Sequence, residues 1–267
     1  MRICVVGLGE VGLPTARYMK ESGFEVMGYD INAAVIEKAS ETGLAATGSW
    51  SEASSAEIYV VCVSTGLRNF DPDMSQVYEV CERIRNKEKP TLVSIESTVC
   101  PGTCRRIFNE IFDKRFPLVH VPHRYWPGDP VHHGVKQERV IGAVDEGSLA
   151  SGLEFYKEDL RIPVHAVSSI EAAETCKITE NAYRYVQIAF AEELRMICEE
   201  LELDFNEVRE ACNTKWNIEI LQARNGIRGS CLPKDTWYLM SLTRFGKLLR
   251  GAIDTDQVYQ SWLSEKR

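Results

Sequence analysis

Short apolar runs alternate with amphipathic stretches along the first half of the chain. The runs are rich in β-branched residues and bounded by polar ones, which is typical of strands buried in a parallel sheet. The predicted strands are Met1–Val6, Phe24–Tyr29, Ile58–Val63, Thr91–Ile95, Leu118–Val121 and Arg139–Val144. The predicted helices between them are Pro14–Ser22, Asn32–Ser40 and Ser75–Arg85. This alternation predicts an α/β fold with a doubly wound parallel sheet.

The pattern changes near Ser168. Ser169–Leu203 is one long helical stretch with almost no breaker, and Asp204 then has the position of an N-cap for the next helix. Helical patterns continue to the end of the chain and are interrupted by a predicted loop at Arg224–Pro233. We therefore predict two domains, an α/β domain at residues 1–166 and an all-helical domain at residues 167–267.

The long helix is predicted to bury apolar residues around much of its circumference. These residues are Tyr183, Val186, Ile188, Ala189, Phe190, Leu194 and Ile197. A helix that is apolar on most sides lies centrally in a domain or at a subunit interface. We therefore expect a homodimer formed through the helical domain.

The net charge of the 267 residues is -8, which argues against a nucleic-acid partner because such proteins carry basic surfaces. No apolar run approaches the roughly 20 residues of a membrane span, and the N-terminus lacks the features of a signal peptide. Nine cysteines do not suggest a disulfide framework, and Cys100 and Cys104 lack further ligands at zinc spacing. We expect a reduced cytoplasmic protein with no metal and no membrane partner.

A glycine-rich turn joins the first predicted strand to the first predicted helix. Gly7, Gly9 and Gly12 form the G-x-G-x-x-G pattern, and Asp30 ends the second strand eighteen residues after Gly12. These glycines allow a tight turn, close approach of a pyrophosphate and close packing of helix on strand, while a carboxylate at that distance binds a ribose 2′-hydroxyl. The pattern predicts a Rossmann-type domain that binds NAD. The predicted cofactor contacts are Gly7, Gly9, Glu10, Val11, Gly12, Asp30, Thr65 and Thr98.

A second segment with chemical potential is Gly229–Thr236 (GSCLPKDT), which brings a thiol, an ammonium and a carboxylate within five residues. A nearby cation favours the thiolate form of Cys231, and the thiolate is the nucleophile. On the long helix, Lys177 and Asn181 are four residues apart and lie on one face. For such a pair taken alone an ordinary solvated face is the preferred explanation, and a loop with a buried cysteine would explain Cys231.

Taken together, these motifs resemble the UDP-glucose/GDP-mannose dehydrogenase family over nearly the whole chain. Besides the glycine turn and Asp30, they are Ser97–Thr103 (STVCPGT), Lys177-x3-Asn181 and Gly229–Asp235 (GSCLPKD). The stretch at residues 177–214, with Pro122–Gly128 and Arg139-x2-Gly142, resembles the branch that oxidises UDP-N-acetylhexosamines.

The resemblance implies an NAD-dependent four-electron oxidation of a nucleotide-sugar C6 alcohol to a carboxylate. Cys231 would carry the thiohemiacetal and thioester, while Lys177 and Asp235 would assist the first oxidation. The implied catalytic residues are Cys231, Lys177, Asp235, Asn181, Thr98 and His123. The implied substrate-binding residues are Arg124, Lys177, Asn181, Arg228 and Gly229.

The chain departs from the family pattern in three places. Family members continue into another α/β domain that binds the sugar nucleotide, and we expect this chain to lack it. His123 occupies the position of a family glutamate that serves in thioester hydrolysis, and an imidazole can also act as a base near neutral pH. Arg228 replaces a glycine, and its guanidinium could bind a phosphate.

Two other functions remain open from the sequence. A Lys-x3-Asn pair after a nucleotide-binding domain also resembles β-hydroxyacid dehydrogenases, which catalyse a single oxidation. The absent domain is also compatible with an NAD-binding protein that is non-catalytic or depends on a partner. The number of NADH molecules formed per substrate distinguishes these functions.

Overall fold

The computed structural model describes residues 1–53, 55–86 and 90–266. Its strands are β1 Arg2–Val6, β2 Glu25–Tyr29, β3 Ala45–Thr47, β4 Ile58–Val61, β5 Gly66–Arg68, β6 Asp71–Asp73, β7 Leu92–Ile95, β8 Leu118–His120, β9 Arg139–Ala143 and β10 Val164–Ala166. Its helices are α1 Gly12–Glu21, α2 Ala33–Glu41, α3 Trp50–Ala53, α4 Ser75–Arg85, α5 Thr103–Arg106, α6 Glu146–Leu153, α7 Ile170–Glu200, α8 Phe205–Asn213, α9 Cys231–Ser241 and α10 Lys247–Glu265.

Eight of the described strands form one sheet in the order β10-β9-β8-β7-β4-β1-β2-β3. Neighbouring strands are parallel except β8 and β9, which pair antiparallel through His120 and Gly142. The predicted fold class, a Rossmann-type parallel sheet followed by a helical region, is confirmed, with this one antiparallel pair as an addition. None of the described helices is both long enough and apolar enough to cross a bilayer.

Contacts divide the chain into two compact units. Unit 1 comprises Met1–Gly66 and Pro72–Lys177, and unit 2 comprises Leu67–Asp71 and Ile178–Arg267. The division falls within α7.

The core of unit 1 lies between the sheet and its covering helices. The central strands β1 and β4 are apolar at every buried position, and α1 adds Ala16 and Met19, three residues apart on the face toward the sheet. Side-chain caps start two of the helices, since Asn32 accepts from the Ala34 amide and Asp145 accepts from the Ser148 amide. Two π-helical turns, Ile107–Ile111 and Glu154–Asp159, extend α5 and α6.

Unit 2 is built from the second part of α7 with α8, α9 and α10. Asp204 is the N-cap of α8, as predicted, and its carboxylate accepts from the Glu207 amide at 2.8 Å. The core includes Tyr185, Ala189, Ile227, Met240, Ala252 and Ile253. At the turn between β5 and β6, Phe70 packs against Trp237 with ring centroids 5.2 Å apart.

Two sequence expectations about unit 2 are wrong in detail. The predicted loop Arg224–Pro233 ends earlier, because α9 already begins at Cys231. The long helix was expected to bury most of its apolar residues, yet Tyr183, Phe190 and Ile197 are exposed in this single chain. Their spacing of seven residues places them in one stripe along the helix.

Candidate active site

The glycine turn of unit 1 has a shape that two of its glycines require. Gly7 has a φ of +89°, and a Cβ on it would lie 2.7 Å from the Cys62 carbonyl oxygen. A Cβ on Gly12 would lie 1.8 Å from the Gly7 carbonyl oxygen. Gly9, by contrast, has no atom within 4 Å of the position that its Cβ would occupy. The turn is therefore closed on the protein side and open at Gly9, which fits the approach of a pyrophosphate.

Asp30 stands beside this turn with both carboxylate oxygens fixed. One oxygen accepts from the Leu8 amide at 2.8 Å, and the other accepts from the Asn32 amide at 2.9 Å. Each oxygen keeps a second lone pair that can accept from a ribose hydroxyl. The cradle and the carboxylate thus fit NAD, and Glu10 and Val11 lie in the same turn, before α1.

The loops that follow β4 and β7 meet at the carboxyl edge of the sheet. The Thr65 hydroxyl donates to the Thr98 carbonyl oxygen at 2.7 Å, and the Ser97 hydroxyl donates to the Val63 carbonyl oxygen at 2.7 Å. Because ligands of such sheets bind beyond the carboxyl ends of the strands, both predicted threonines occupy a suitable position.

Glu96, at the end of β7, is the centre of a buried hydrogen-bond network in unit 1. Its carboxylate accepts from Arg139 at 3.0 Å, from the Tyr156 hydroxyl at 2.5 Å and from His123. Burial alone would raise the pKa of Glu96, but the neighbouring His123 ring and Arg139 guanidinium lower it to about 2. Glu96 is therefore an ionised carboxylate inside the core.

His123 is buried within this network. Burial and the Arg139 charge lower the pKa of His123 below its ordinary value, against the opposing effect of Glu96. The ring is therefore neutral at pH 7, with its proton on the Nε2 atom that faces Glu96. The Thr15 hydroxyl donates to the Val11 carbonyl oxygen and accepts from the same Nε2 at 2.9 Å. This tautomer leaves Nδ1 as the atom of His123 that can take up a proton.

Cys62, Glu96 and His123 form the one group of three possible metal ligands in the part of the chain that the structure describes. Burial and the Glu96 charge raise the pKa of Cys62 well above its ordinary value, so its thiol donates to Glu96 at 3.7 Å. The Glu96 charge is already balanced by Arg139. We interpret the group as part of the hydrogen-bond network and not as a metal centre.

Unit 1 also carries the predicted Arg124 and Lys177. Arg124 follows β8 and donates to the Glu138 carbonyl oxygen at 2.9 Å, which holds the loop that it begins. Lys177 is half-buried on α7. Three residues before it, Glu174 is fully buried and accepts from the Gly102 and Cys104 amides at 2.7 and 2.8 Å.

In unit 2 the predicted nucleophile opens a helix. Cys231 is the first residue of α9 and is exposed, whereas Asp235, one turn later on the same helix, is only 1% exposed. Asp235 accepts from Asn181 at 2.5 Å and from Lys234 at 2.5 Å. The structure thus joins Asp235 to Asn181 and places both Cys231 and Asp235 on one helix face.

The loop before Cys231 is held by its backbone. Gly226 and Gly229 have φ values of +82° and +88°, which only glycine adopts without strain. The Ile227 amide donates to Asp256 at 2.8 Å, and Arg228 is exposed and donates to the Asn225 carbonyl oxygen at 3.1 Å. Arg228 therefore does not fill the loop and leaves its remaining guanidinium donors toward solvent.

Sequence reasoning did not identify Glu96, Arg139, Tyr156 and Glu174 as site residues. Glu96 gave a usable signal, because it is a charged residue directly after an apolar strand. Arg139 gave a similar signal, since it begins another apolar strand. Tyr156 and Glu174 gave none, because their partners lie some 60 and 70 residues away in the sequence.

The family model of the UDP-glucose/GDP-mannose dehydrogenases matches the chain in two parts. Its NAD binding domain matches residues 1–47 and 33–159, and its central domain matches residues 171–255. The predicted cofactor, NAD, is thereby confirmed.

The UDP-N-acetyl-D-mannosamine dehydrogenase of Methanocaldococcus jannaschii is 31% identical over 99% of the chain and 67% of its own length. That of Methanococcus vannielii is 31% identical over 94% of the chain and 64% of its own length. The chain therefore spans about two thirds of the length of the curated relatives that it matches.

Among solved structures, UDP-D-ManNAc dehydrogenase from Pyrococcus horikoshii superposes with a TM-score of 0.91 at 28% identity, covering 99% of this chain and 70% of that one.

Proposed function

The chain belongs to the UDP-glucose/GDP-mannose dehydrogenase family, and from that premise we propose that it oxidises the C6 alcohol of a UDP-sugar to a carboxylate through Cys231. The observation that carries the proposal is the arrangement on α9. There the exposed thiol of Cys231 lies one helical turn from the buried Asp235, which Asn181 and Lys234 hold in place.

NAD, when bound, accepts the hydride in each of the two oxidations. In the first, Lys177 and Asp235 remove the proton of the C6 hydroxyl as the aldehyde forms. The Cys231 sulfur then bonds to the aldehyde carbon, and the carbonyl oxygen takes up a proton. The carbon of this thiohemiacetal carries the second hydride, so its oxidation leaves a thioester on Cys231. Water finally cleaves the carbon–sulfur bond, which gives the carboxylate and returns the thiol.

His123 is our candidate for the residue that activates the hydrolytic water. Glu96 and Thr15 hold Nε2, so the lone pair of Nδ1 is the proton acceptor. An imidazole kept neutral at pH 7 by burial suits this role, which the resemblance assigns to a glutamate.

The names of the relatives favour a UDP-N-acetylhexosamine as substrate, bound by Arg124, Arg228, Asn181 and the Gly229 backbone.

Nine cysteines without a disulfide among the described residues suit a reducing cytoplasm. A sugar acid made there would serve as a precursor for polysaccharide synthesis.

A homodimer through α7 is supported by the exposed stripe of Tyr183, Phe190 and Ile197. A second copy would cover these side chains, which otherwise expose apolar surface to water. Sedimentation of the full chain tests the dimer.

The decisive test of the function is the number of NADH molecules formed per UDP-sugar consumed. We expect two for the wild type. Cys231→Ala is expected to lower acid formation by on the order of 10³-fold or more, because no covalent intermediate can form. Cys212→Ala is the matched control, since Cys212 is the other exposed cysteine of unit 2.

Two outcomes would favour the alternative functions. One NADH per substrate with an active Cys231→Ala variant would indicate a single-step hydroxyacid dehydrogenase. Calorimetric binding of NAD without binding of any UDP-sugar would indicate a non-catalytic or partner-dependent protein.

A further inference from the structure

We propose that Glu174 is a positioning residue whose buried carboxylate ties the Ser97–Thr103 segment to α7, and so sets Thr98 relative to Lys177. This proposal rests on the proposed function, because it concerns how two residues of that site are aligned. All of its contacts lie within unit 1.

The start of α5 shows why a carboxylate is needed at this point. The N-terminal amides of a helix have no partners within the helix, and a serine, threonine, asparagine or aspartate usually caps them. Here the cap residue is Gly102, with a φ of +94° and no side chain to offer. Glu174 supplies the missing acceptor from α7, with one oxygen on the Gly102 amide and the other on the Cys104 amide.

The segment is thereby held at two points. Thr65 donates to the Thr98 carbonyl oxygen on one side, and Glu174 binds the amide of Gly102, four residues later, on the other. Lys177 follows Glu174 by three residues, which is less than one helical turn. The same carboxylate therefore fixes the loop that carries Thr98 and the part of α7 that carries Lys177.

A second link between α5 and α7 lies toward the surface and provides the control. Arg105 donates to Glu171 at 2.8 Å and to the Val144 carbonyl oxygen at 2.8 Å, with both charged side chains 36% exposed. Glu171 is one turn from Glu174 on the same helix but contacts neither loop amide in the described contacts. Glu171→Gln thus makes the same chemical change without removing an acceptor of the Gly102 and Cys104 amides. The Glu171 charge helps to raise the pKa of Glu174, so its loss favours the ionised carboxylate that accepts from both amides.

The test compares Glu174→Gln with Glu171→Gln in the full chain. A glutamine can accept from only one of the two amides and turns an N–H toward the other. We expect hydrogen exchange at Gly102 and Cys104 to accelerate at least about 10-fold in Glu174→Gln, because an accepted bond protects an amide. We also expect kcat to fall about 10- to 100-fold through misplacement of the reacting groups, with KM for the UDP-sugar nearly unchanged. Glu171→Gln should alter neither quantity.

The exchange measurement needs no turnover, so it separates this proposal from the proposed function. Suppose that the wild type turns over, and that Glu174→Gln shows faster hydrogen exchange with an unchanged kcat. That result would overturn the positioning role of Glu174 and leave the proposed function intact. Unchanged hydrogen exchange in Glu174→Gln would show that Glu174 does not hold the Gly102 and Cys104 amides. If Glu174→Gln does not fold, Glu174→Asp keeps the carboxyl group but withdraws it by one methylene. Wild-type exchange and kcat in that variant would overturn the proposal as well.

Discussion

In unit 1 the charged groups of the candidate site lie inside the core, whereas in unit 2 the proposed nucleophile lies at an exposed helix start. Glu96 and Arg139 are at most 2% exposed, and their opposite charges form an ion pair. Cys231 is exposed, and only its neighbour Asp235 is buried. Unit 1 therefore holds Glu96 and Arg139 in place by burying them among their hydrogen-bond partners. Unit 2 exposes the sulfur of the proposed nucleophile, Cys231, at the start of a helix and buries Asp235 one turn later.

Two buried carboxylates show the physical difference between the units. Glu96 in unit 1 has one cation, Arg139, and three neutral donors around it and stays ionised. Neither oxygen of Glu192 in unit 2 accepts from a donor among the described residues, and its hydrogen-bonding neighbour is another carboxylate, Asp256. Burial and the charge of Asp256 raise the pKa of Glu192 to about 8. A buried charge is retained only where partners replace water, so Glu192 is mostly protonated at neutral pH.

The largest effect on stability is expected when the buried ion pair of Glu96 and Arg139 in unit 1 is broken. Arg139→Met removes the only cation among the described partners of Glu96 and leaves a carboxylate inside the core. We expect the free energy of unfolding to fall by about 3–5 kcal/mol, measured by urea denaturation. The double variant Glu96→Gln/Arg139→Met should recover part of that loss, because it carries no buried charge. A loss below about 1 kcal/mol in the single variant would contradict this account.

An effect that approaches this size only at high pH is expected in unit 2. The pKa of Glu192 is about 8 in the folded chain and 4.5 in its unperturbed state, so the folded chain binds the extra proton between these values. The free energy of unfolding should therefore fall as pH rises from 4.5 to 8. Glu192→Gln has no such titration, and we expect its free energy of unfolding to exceed that of the wild type by about 3–5 kcal/mol at pH 8 but not at pH 4.5.

The control for this experiment is Glu193→Gln, which changes the neighbouring exposed carboxylate. The groups that face Glu192 are Asp256, Tyr185 and Tyr259, and they are identical in both variants. Equal pH dependence in Glu192→Gln and the wild type would show that Glu192 is not the titrating group.

The smallest effect on stability is expected at the open side of the glycine turn. Gly9→Ala adds a methyl group where no protein atom lies within 4 Å, so unfolding should change by less than about 0.5 kcal/mol. The same methyl group occupies the proposed pyrophosphate position, and calorimetry should show NAD binding weakened at least about 10-fold. Gly12→Ala is the contrast, because its Cβ would overlap the Gly7 carbonyl oxygen and must shift the backbone. Unaltered NAD affinity in Gly9→Ala would place the cofactor elsewhere.

The sequence predicted those parts of the molecule that local patterns determine. Buried strands such as β4 are continuous apolar runs, and the glycine turn is recognisable because its geometry excludes other residues. The short strands β3 and β10 and the β5–β6 turn were not predicted, because their three-residue segments contain no apolar run, whereas the equally short β8 lies in the apolar run Leu118–Val121. The start of α9 at Cys231 was missed as well, because a proline in the first helical turn resembles a loop residue.

The environment of His123 could not be predicted for a different reason. The position of the histidine was identified, but Thr15 of α1 and Glu96, directly after β7, contact it, and Arg139 of β9 contacts Glu96. Only the assembled sheet brings these elements together. The exposed stripe on α7 follows the same rule, since apolar periodicity does not distinguish a buried face of a helix from an exposed one.

The π-helical turn Glu154–Asp159 has a consequence for how the chain can change in length. The Leu160 amide donates to the Phe155 carbonyl oxygen at 3.0 Å, and both side chains are buried. In an α-helix residues five apart point about 140° away from each other, so one of the two would face solvent. Deleting a single residue between them would place Phe155 and Leu160 four apart, and α-helical geometry would then keep both side chains within about 40° of each other on the buried face. Related chains can therefore differ by one residue in this stretch without turning either side chain to solvent, whereas longer insertions and deletions should be confined to surface loops.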